Sequence, residues 1–307
     1  MWSWATARRL ARGRPTDPGA PVICVGNLTL GGSGKTPVTL ALARLLAAGG
    51  RPPHILCRGH GGHLKGPLRV DPAIHTAAEV GDEAIMMAAH VPVWIARDRA
   101  RGAHAAAEAG AGVIVMDDGH QNPAVMKSLS LLVVDGETRD DEWPFGEGGV
   151  FPAGPMREPL KAGLARADAL IILLPADLAE ASTELLALFP GKIVIIARLE
   201  PATAPPTGPQ VGFAGIAKPW KMERALKAAG CDLVDFAPLA DHAQVPDRTL
   251  RFLARRAEAL GAGLVTSEKD WARLGPGWRA RVTAWPVRAR FEDEGAVRAL
   301  LNQALIR

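Results

Sequence analysis

The chain has 307 residues, 48% of them hydrophobic and 22% charged, with a formal net charge of +4. That length is enough for two ordinary domains, and the composition is that of a packed globular protein rather than a disordered or fibrous one. No run approaches the ~18 uninterrupted apolar residues of a spanning helix. The scattered Cys24, Cys57 and Cys231 give neither a disulfide framework nor a zinc pattern, and the lack of a zinc finger, RNP-type motif or long basic run ranks nucleic acid last among partners.

The first segment, residues 1–20, opens "MWSWATARRLARGRP". It combines Trp2, Trp4 and Leu10 with Arg8, Arg9, Arg12 and Arg14, and has no acid before Asp17. Such a stretch can lie on an anionic membrane surface as a short basic helix, or it can be a frayed, solvated helix. Its arginines interrupt any secretory apolar core, so a cytoplasmic location is expected.

Residues 21–200 alternate short β-branched runs with segments of helical period. Strands are predicted at Val22–Gly26, His54–Cys57, Pro92–Ala96, Val113–Met116, Leu131–Val134, Ala169–Leu174 and Lys192–Ala197. Helices are predicted at Lys35–Ala48, with Gly49 as the stop, and at Asp82–His90, Asp98–Ala109 and Asp177–Leu188. Near-continuous apolar strands separated by helices imply an α/β fold of P-loop type, a mostly parallel sheet covered by helices. Residues 201–209 then read as a proline-rich linker. Residues 210–307 form a second, smaller α/β domain. It has strands at Val211–Ala214, Leu233–Ala237 and Leu264–Ser267, and helices near Trp220–Ala229, Asp247–Leu260 and Glu294–Ile306. The last helix is free to pack back on the first domain.

"VGNLTLGGSGKT" carries the most specific chemistry. A strand runs into a glycine-rich turn, and a helix starts at Lys35. Successive backbone N–H groups of such a turn point at phosphate oxygens, and the helix N-terminus adds partial positive charge. Thr29, Leu30, Gly31, Gly32, Ser33, Gly34, Lys35 and Thr36 are therefore the candidate ATP site, with Lys35 reaching the β- and γ-phosphates and Thr36 ligating Mg²⁺. The usual G-x-x-x-x-G-K-[ST] pattern has glycine where Thr29 stands; Gly31 and Gly32 supply the flexibility instead.

"VIVMDDG" ends a buried strand in two carboxylates, Asp117 and Asp118, which a divalent cation would relieve of mutual repulsion. A polar turn after a strand is the plainer alternative. Asp82 and Glu83 open a helix, where capping and dipole pairing suffice, but a carboxylate at that edge can also deprotonate an acceptor hydroxyl. His242 is a lone loop histidine, structural or exposed unless the domains close it onto Asp82. In "VFPAGPMREPL", Arg157 can clamp an anion and Glu158 can join the metal shell, or the two form a surface ion pair.

The order of these segments resembles one family, the tetraacyldisaccharide 4′-kinases of lipid A biosynthesis. The likeness runs through "VGNLTLGGSGKTP", "LCRGHGG", "VGDEA", "RDR", "DDGHQN", "FPAGPMREPL", "DHAQVPD" and "TSEKDWARL". The family's loop has Ser or Thr at the position of Thr29; His60 and Asn122 stand where it usually has tyrosine and histidine. The resemblance implies transfer of the ATP γ-phosphoryl group to the 4′-hydroxyl of an acylated glucosamine disaccharide 1-phosphate, with peripheral attachment to the cytoplasmic face of a Gram-negative inner membrane. It implies that the smaller domain closes over the site and that Asp82 and His242 form a catalytic dyad. Lys35 is the further catalytic candidate, and the motifs themselves offer Thr36, Asp117, Asp118 and Glu158 as the Mg²⁺ ligands. Asn27, Arg58, Glu83, Arg99, Gln121 and Arg157 are the candidate substrate contacts. The rival readings are a P-loop nucleotide-switch ATPase, a small-metabolite kinase without a lipid acceptor and a non-enzymatic nucleotide-binding module.

Overall fold

A computed structural model describes residues 2–140, 142–241 and 245–306. In chain order it begins α1 (Trp2–Arg12), β1 (Val22–Gly26), α2 (Lys35–Ala48), β2 (Pro53–Cys57), β3 (Leu68–Arg69), α3 (Ala77–Val80), α4 (Asp82–Ala88), β4 (Val93–Ile95), α5 (Arg99–Glu108) and β5 (Val113–Asp117). It continues β6 (Leu129–Asp135), α6 (Leu160–Leu164), β7 (Ala169–Pro175), α7 (Thr183–Ala187), β8 (Ile193–Pro201), β9 (Gln210–Ala214), α8 (Pro219–Ala228) and β10 (Leu233–Pro238). The last elements are α9 (Asp247–Ala259), β11 (Gly263–Ser267), α10 (Glu268–Arg273), α11 (Pro276–Arg279), β12 (Val282–Trp285), β13 (Val287–Phe291) and α12 (Glu294–Leu305).

Among the described residues the strands form two sheets. The large one has the order β13-β8-β7-β6-β1-β5-β2-β4-β3 and the small one β10-β9-β11-β12. The large sheet is parallel from β8 to β4, and its outermost pairs, β13 on β8 and β3 on β4, are antiparallel. The small sheet is parallel throughout. Strand β1 is where the large sheet's winding reverses: β2 to β5 lie on one side and β6 to β8 on the other. In an open α/β sheet, the strand ends at that reversal frame the ligand crevice.

Alternation along the central strands fills both faces. Ile23, Val25, Val113 and Val115 point into one apolar cluster with Val38, Leu42, Leu45 and Leu46 of α2, while Cys24, Ile114 and Met116 enter another with Ala103 and Ala106 of α5. Strands buried on both faces read as continuous apolar runs, which is why they were legible as parallel.

Three elements differ from expectation. Helix α7 spans only Thr183–Ala187 rather than starting at Asp177. The Asp177 carboxylate takes a hydrogen bond from Arg139 at 2.9 Å, and Ser182 caps the helix five residues later. Strand β8 continues to Pro201 because β13 pairs along it from Phe291↔Ala197 to Val287↔Pro201. And β13 belongs to the large sheet rather than the smaller domain; α12 packs back beside it, so that Ala289, Phe291, Val297, Leu301 and Ala304 enter the same cluster as α2. The small sheet is thus an insertion between β8 and β13, its two connections joined where Ala202 N–H donates to Pro286 O at 2.9 Å.

Candidate active site

Gly34 caps α2 in the left-handed region, with φ +77°. That backbone conformation favours glycine, and a side chain there would also have to displace Leu173 Cδ2, 2.2 Å away. Upstream, the loop is anchored by a strand-like contact rather than by glycine. Thr29 bridges Met156, Leu30 N–H donates to Pro155 O at 2.7 Å, and Arg157 N–H donates to Leu28 O at 2.7 Å. The "FPAGPMREP" segment therefore backs the phosphate loop, and an extended β-branched residue suits position 29.

Lys35 heads α2 with Nζ 3.5 Å from Asp118 Oδ1. Arg157 donates through one guanidinium nitrogen to both Asp118 oxygens, at 2.8 and 3.0 Å, and through Nε to Thr29 O at 3.0 Å. Burial alone would raise the Asp118 carboxyl, but Lys35 and Arg157 outweigh it and bring it down to about 2. Asp118 sits at φ +51°, a costly conformation for a non-glycine residue that the surrounding contacts hold. Among those contacts, half-buried Lys127 donates to Gly119 O at 2.8 Å and His120 O at 3.1 Å.

Asp117 ends β5 beside β1, in register with Val25, and accepts from Thr39 Oγ1 at 3.0 Å. Burial, then the charge of Glu83, pushes its carboxyl up to about 7 despite Lys35. The first turn of α4 therefore lies close to the acidic strand end. There Asp82 is buried, and its Oδ1 accepts the Glu83 N–H at 2.9 Å. The turn that presents it is packed backbone to backbone: a side chain at Gly81, φ +93°, would meet His60 O at 2.4 Å. The glycines of "RGHGG" permit that approach.

Several predicted contacts are redirected. Glu158 is engaged by protein groups. It is buried against Arg166 at 2.7 and 2.8 Å and accepts from Gln121 at 2.9 Å, so its charge is already matched. Gln121 also donates to Asn27 O at 2.9 Å, and Asn27 Nδ2 donates to Thr29 O at 2.8 Å. Both are buried, and these bonds tie them to the backbone that leads into the loop. Arg99 is buried, donating to Ala96 O at 2.5 Å, whereas Arg58 is exposed. Glu83 pairs with Lys269 at 3.3 Å. His242 lies outside the described residues; its neighbour Asp241 comes within 3.8 Å of Lys269.

Two groups of residues were not singled out from sequence. Lys269 and Arg273 of α10 reach Asp82 at 4.0 and 2.8 Å; their signal was the unassigned "TSEKDWARL" stretch. Lys218, which caps α8, and Lys221 in its first turn converge on Asp135 at the end of β6, at 3.2 and 2.6 Å. No motif marked that pairing.

A divalent cation fits this donor set. Mg²⁺ takes one or two carboxylates and completes its shell with water and substrate phosphates. The Thr36 hydroxyl on α2 and the under-compensated Asp117 on β5 are hard oxygen donors on neighbouring elements, with Asp118 beside them.

A family model described as tetraacyldisaccharide-1-P 4′-kinase matches residues 1–306. A tetraacyldisaccharide 4′-kinase of Phenylobacterium zucineum is 65% identical over 98% of this chain and 91% of its own length. One from Rhodospirillum centenum is 50% identical over 99% and 89%. Among solved structures, LpxK of Aquifex aeolicus in complex with ATP superposes with a TM-score of 0.74 at 25% identity, covering 99% of this chain and 97% of that one.

Proposed function

The chain belongs to the tetraacyldisaccharide-1-P 4′-kinase family, and from that premise we propose how its own residues divide the work. The reaction is transfer of a phosphoryl group from ATP to the 4′-hydroxyl of tetraacyldisaccharide 1-phosphate, a step of lipid A biosynthesis. The observation that carries the residue assignment is the junction of Lys35, Asp118 and Arg157 at the reversal point of the sheet.

ATP phosphates lie along Gly31–Thr36, where backbone N–H groups and the start of α2 supply donors and positive charge. Lys35 binds the β- and γ-phosphates, and Arg157 fixes both Asp118 and the Thr29 carbonyl so that the loop keeps its shape. Mg²⁺ at Thr36, Asp117 and Asp118 would neutralise charge on the β- and γ-phosphate oxygens. Asp82, with His242 as its partner by family resemblance, takes the proton of the attacking hydroxyl. Arg99 adds positive potential behind the acidic pair; both aspartates act on its guanidinium.

With γ-labelled ATP, Mg²⁺ and the disaccharide 1-phosphate in detergent, label is expected in the lipid, and none when the divalent cation is chelated. Release of label only as free phosphate would sink the kinase assignment and leave a switch-type ATPase.

We also read α1 as a peripheral membrane contact. No helix among the described residues is long and apolar enough to cross a bilayer. Arg8, Arg9, Arg12 and Arg14 are exposed along and just after α1, and the segment is tied to the body where Thr16 N–H donates to Ala124 O at 3.0 Å. Each exposed arginine near an anionic surface is worth about 1 kcal/mol. The chain should therefore sediment with anionic vesicles at low salt, and replacing Arg8, Arg9 and Arg12 by glutamine should leave most of it in the supernatant. Equal sedimentation of both proteins would remove the helix from this role.

A further inference from the structure

Asp82 and Arg273 are 191 residues apart in sequence and sit on different sheets' elements, α4 and α10. Arg273 nevertheless aims two nitrogens at a single oxygen of Asp82: Nε at 2.9 Å and a terminal nitrogen at 2.8 Å from Oδ2. The other oxygen, Oδ1, takes the backbone N–H of Glu83. A carboxylate held from two sides in this way keeps one rotamer and one plane.

The guanidinium is itself fixed. Another of its nitrogens donates to Asp270 Oδ1 at 3.1 Å, and the side chains of Arg273 and Asp270 are 6% and 0% exposed. Asp270 Oδ2 in turn accepts from Gly215 N–H at 3.0 Å and Ser267 Oγ at 2.5 Å. The chain of contacts thus runs from the backbone of the small sheet to a carboxylate on the large one. Asp82 has little structural need of it, since the first turn of a helix already stabilises a carboxylate.

We propose that Arg273, seated by Asp270, is a positioning residue that aims Asp82 at the acceptor hydroxyl, so that the base is correctly placed only while the small sheet rests against α4. This rests on the reading of Asp82 as the base. The other charged groups facing Asp82 are Lys269 from α10 and Glu83 from α4, with Asp241 beyond Lys269. Removing Arg273 leaves Lys269, 4.0 Å away, as the described cation nearest Asp82. A buried carboxylate that loses a close cation holds its proton to higher pH.

The test compares Arg273→Ala and Arg273→Lys in the wild-type and Asp82→Asn backgrounds. It reads kcat, the KM for ATP, the acidic limb of kcat against pH, and thermal melting. Arg273→Ala is expected to lower kcat by about 10–100-fold, the scale of a misplaced catalytic group, with the KM for ATP within about threefold. Its acidic limb should move to higher pH by about one unit or more. Arg273→Lys, which keeps the charge but loses the fork, should hold the limb in place and recover part of kcat. In Asp82→Asn, Arg273→Ala should add little further loss. Full additivity in that background, or an unmoved acidic limb, would make Arg273 a structural ion pair and overturn the proposal. If Arg273→Ala does not fold, Arg273→Lys decides: unchanged kcat overturns the proposal. Near-wild-type turnover of Asp82→Asn alone would instead overturn the base assignment on which it stands.

Discussion

Replacing Lys35 by alanine should lower turnover by about three orders of magnitude or more while the chain still folds. The ammonium is the first charged group of α2 and faces the phosphate path from a helix N-terminus, where its charge adds to that of the backbone donors. Removing one preorganised donor from a site of developing negative charge costs about 10²–10³ in rate, and a full cation on the transferring group costs more. The fold should survive, because Arg157 still pairs with Asp118 and the core face of α2 is untouched. A second readout follows from the charge balance. Lys35 leads the groups that lower the Asp118 carboxyl to about 2, so its removal should raise that carboxyl toward its ordinary value. Asp118 is lowered in the folded protein, so the stability it lends is present at neutral pH and is lost as pH falls toward about 2; in Lys35→Ala that contribution should be smaller and exhausted at a higher pH. Turnover within tenfold of wild type would place the phosphate-binding cation elsewhere.

Asp82→Asn should reduce kcat by about 10²–10⁴-fold with ATP binding nearly unchanged, the range over which general-base groups act. The substitution keeps the shape of the side chain and an oxygen for Arg273, so the turn from Gly81 into α4 should persist. The separation of effects is what identifies the base. In the proposed arrangement ATP would contact the phosphate loop and the acidic strand end, while Asp82 belongs to a different element, α4. A parallel loss of ATP affinity and kcat would mark Asp82 as part of nucleotide binding; retention of kcat would clear it of any catalytic role.

The sequence revealed the parts of this fold that depend on near neighbours. Helix α2 begins at Lys35 and stops at Gly49 because a glycine turn and a glycine end are local signals. The central strands were legible because burial on both faces leaves them uniformly apolar. Asp177 illustrates the limit: its segment has helical composition, yet its carboxylate is claimed by Arg139, 38 residues away. Strand β13, "VRARF", is short and half charged, and becomes a strand through pairing with β8. At the site, Lys35, Asp117 and Asp118 were singled out from the sequence, and the structure brings Lys35 within 3.5 Å of Asp118. The pairing of Glu158 with Arg166 was not legible, because it depends on how the 150s loop folds against α6. Arg273 was visible only as part of a motif, since its function depends on a carboxylate from the other sheet.

The insertion of the small sheet also dictates an order of assembly. The large sheet has its nucleotide loop by residue 36, but the helix that carries Lys35 packs on an apolar cluster completed by β13 and α12, from Val287 to Leu305. During synthesis the growing chain must therefore hold an unfinished core open while the whole small sheet, residues 210–285, emerges and folds. The apolar face of α2 in that interval is the surface a nascent-chain chaperone would cover, and it closes once β13 and α12, which follow the small sheet in the chain, can pack against it.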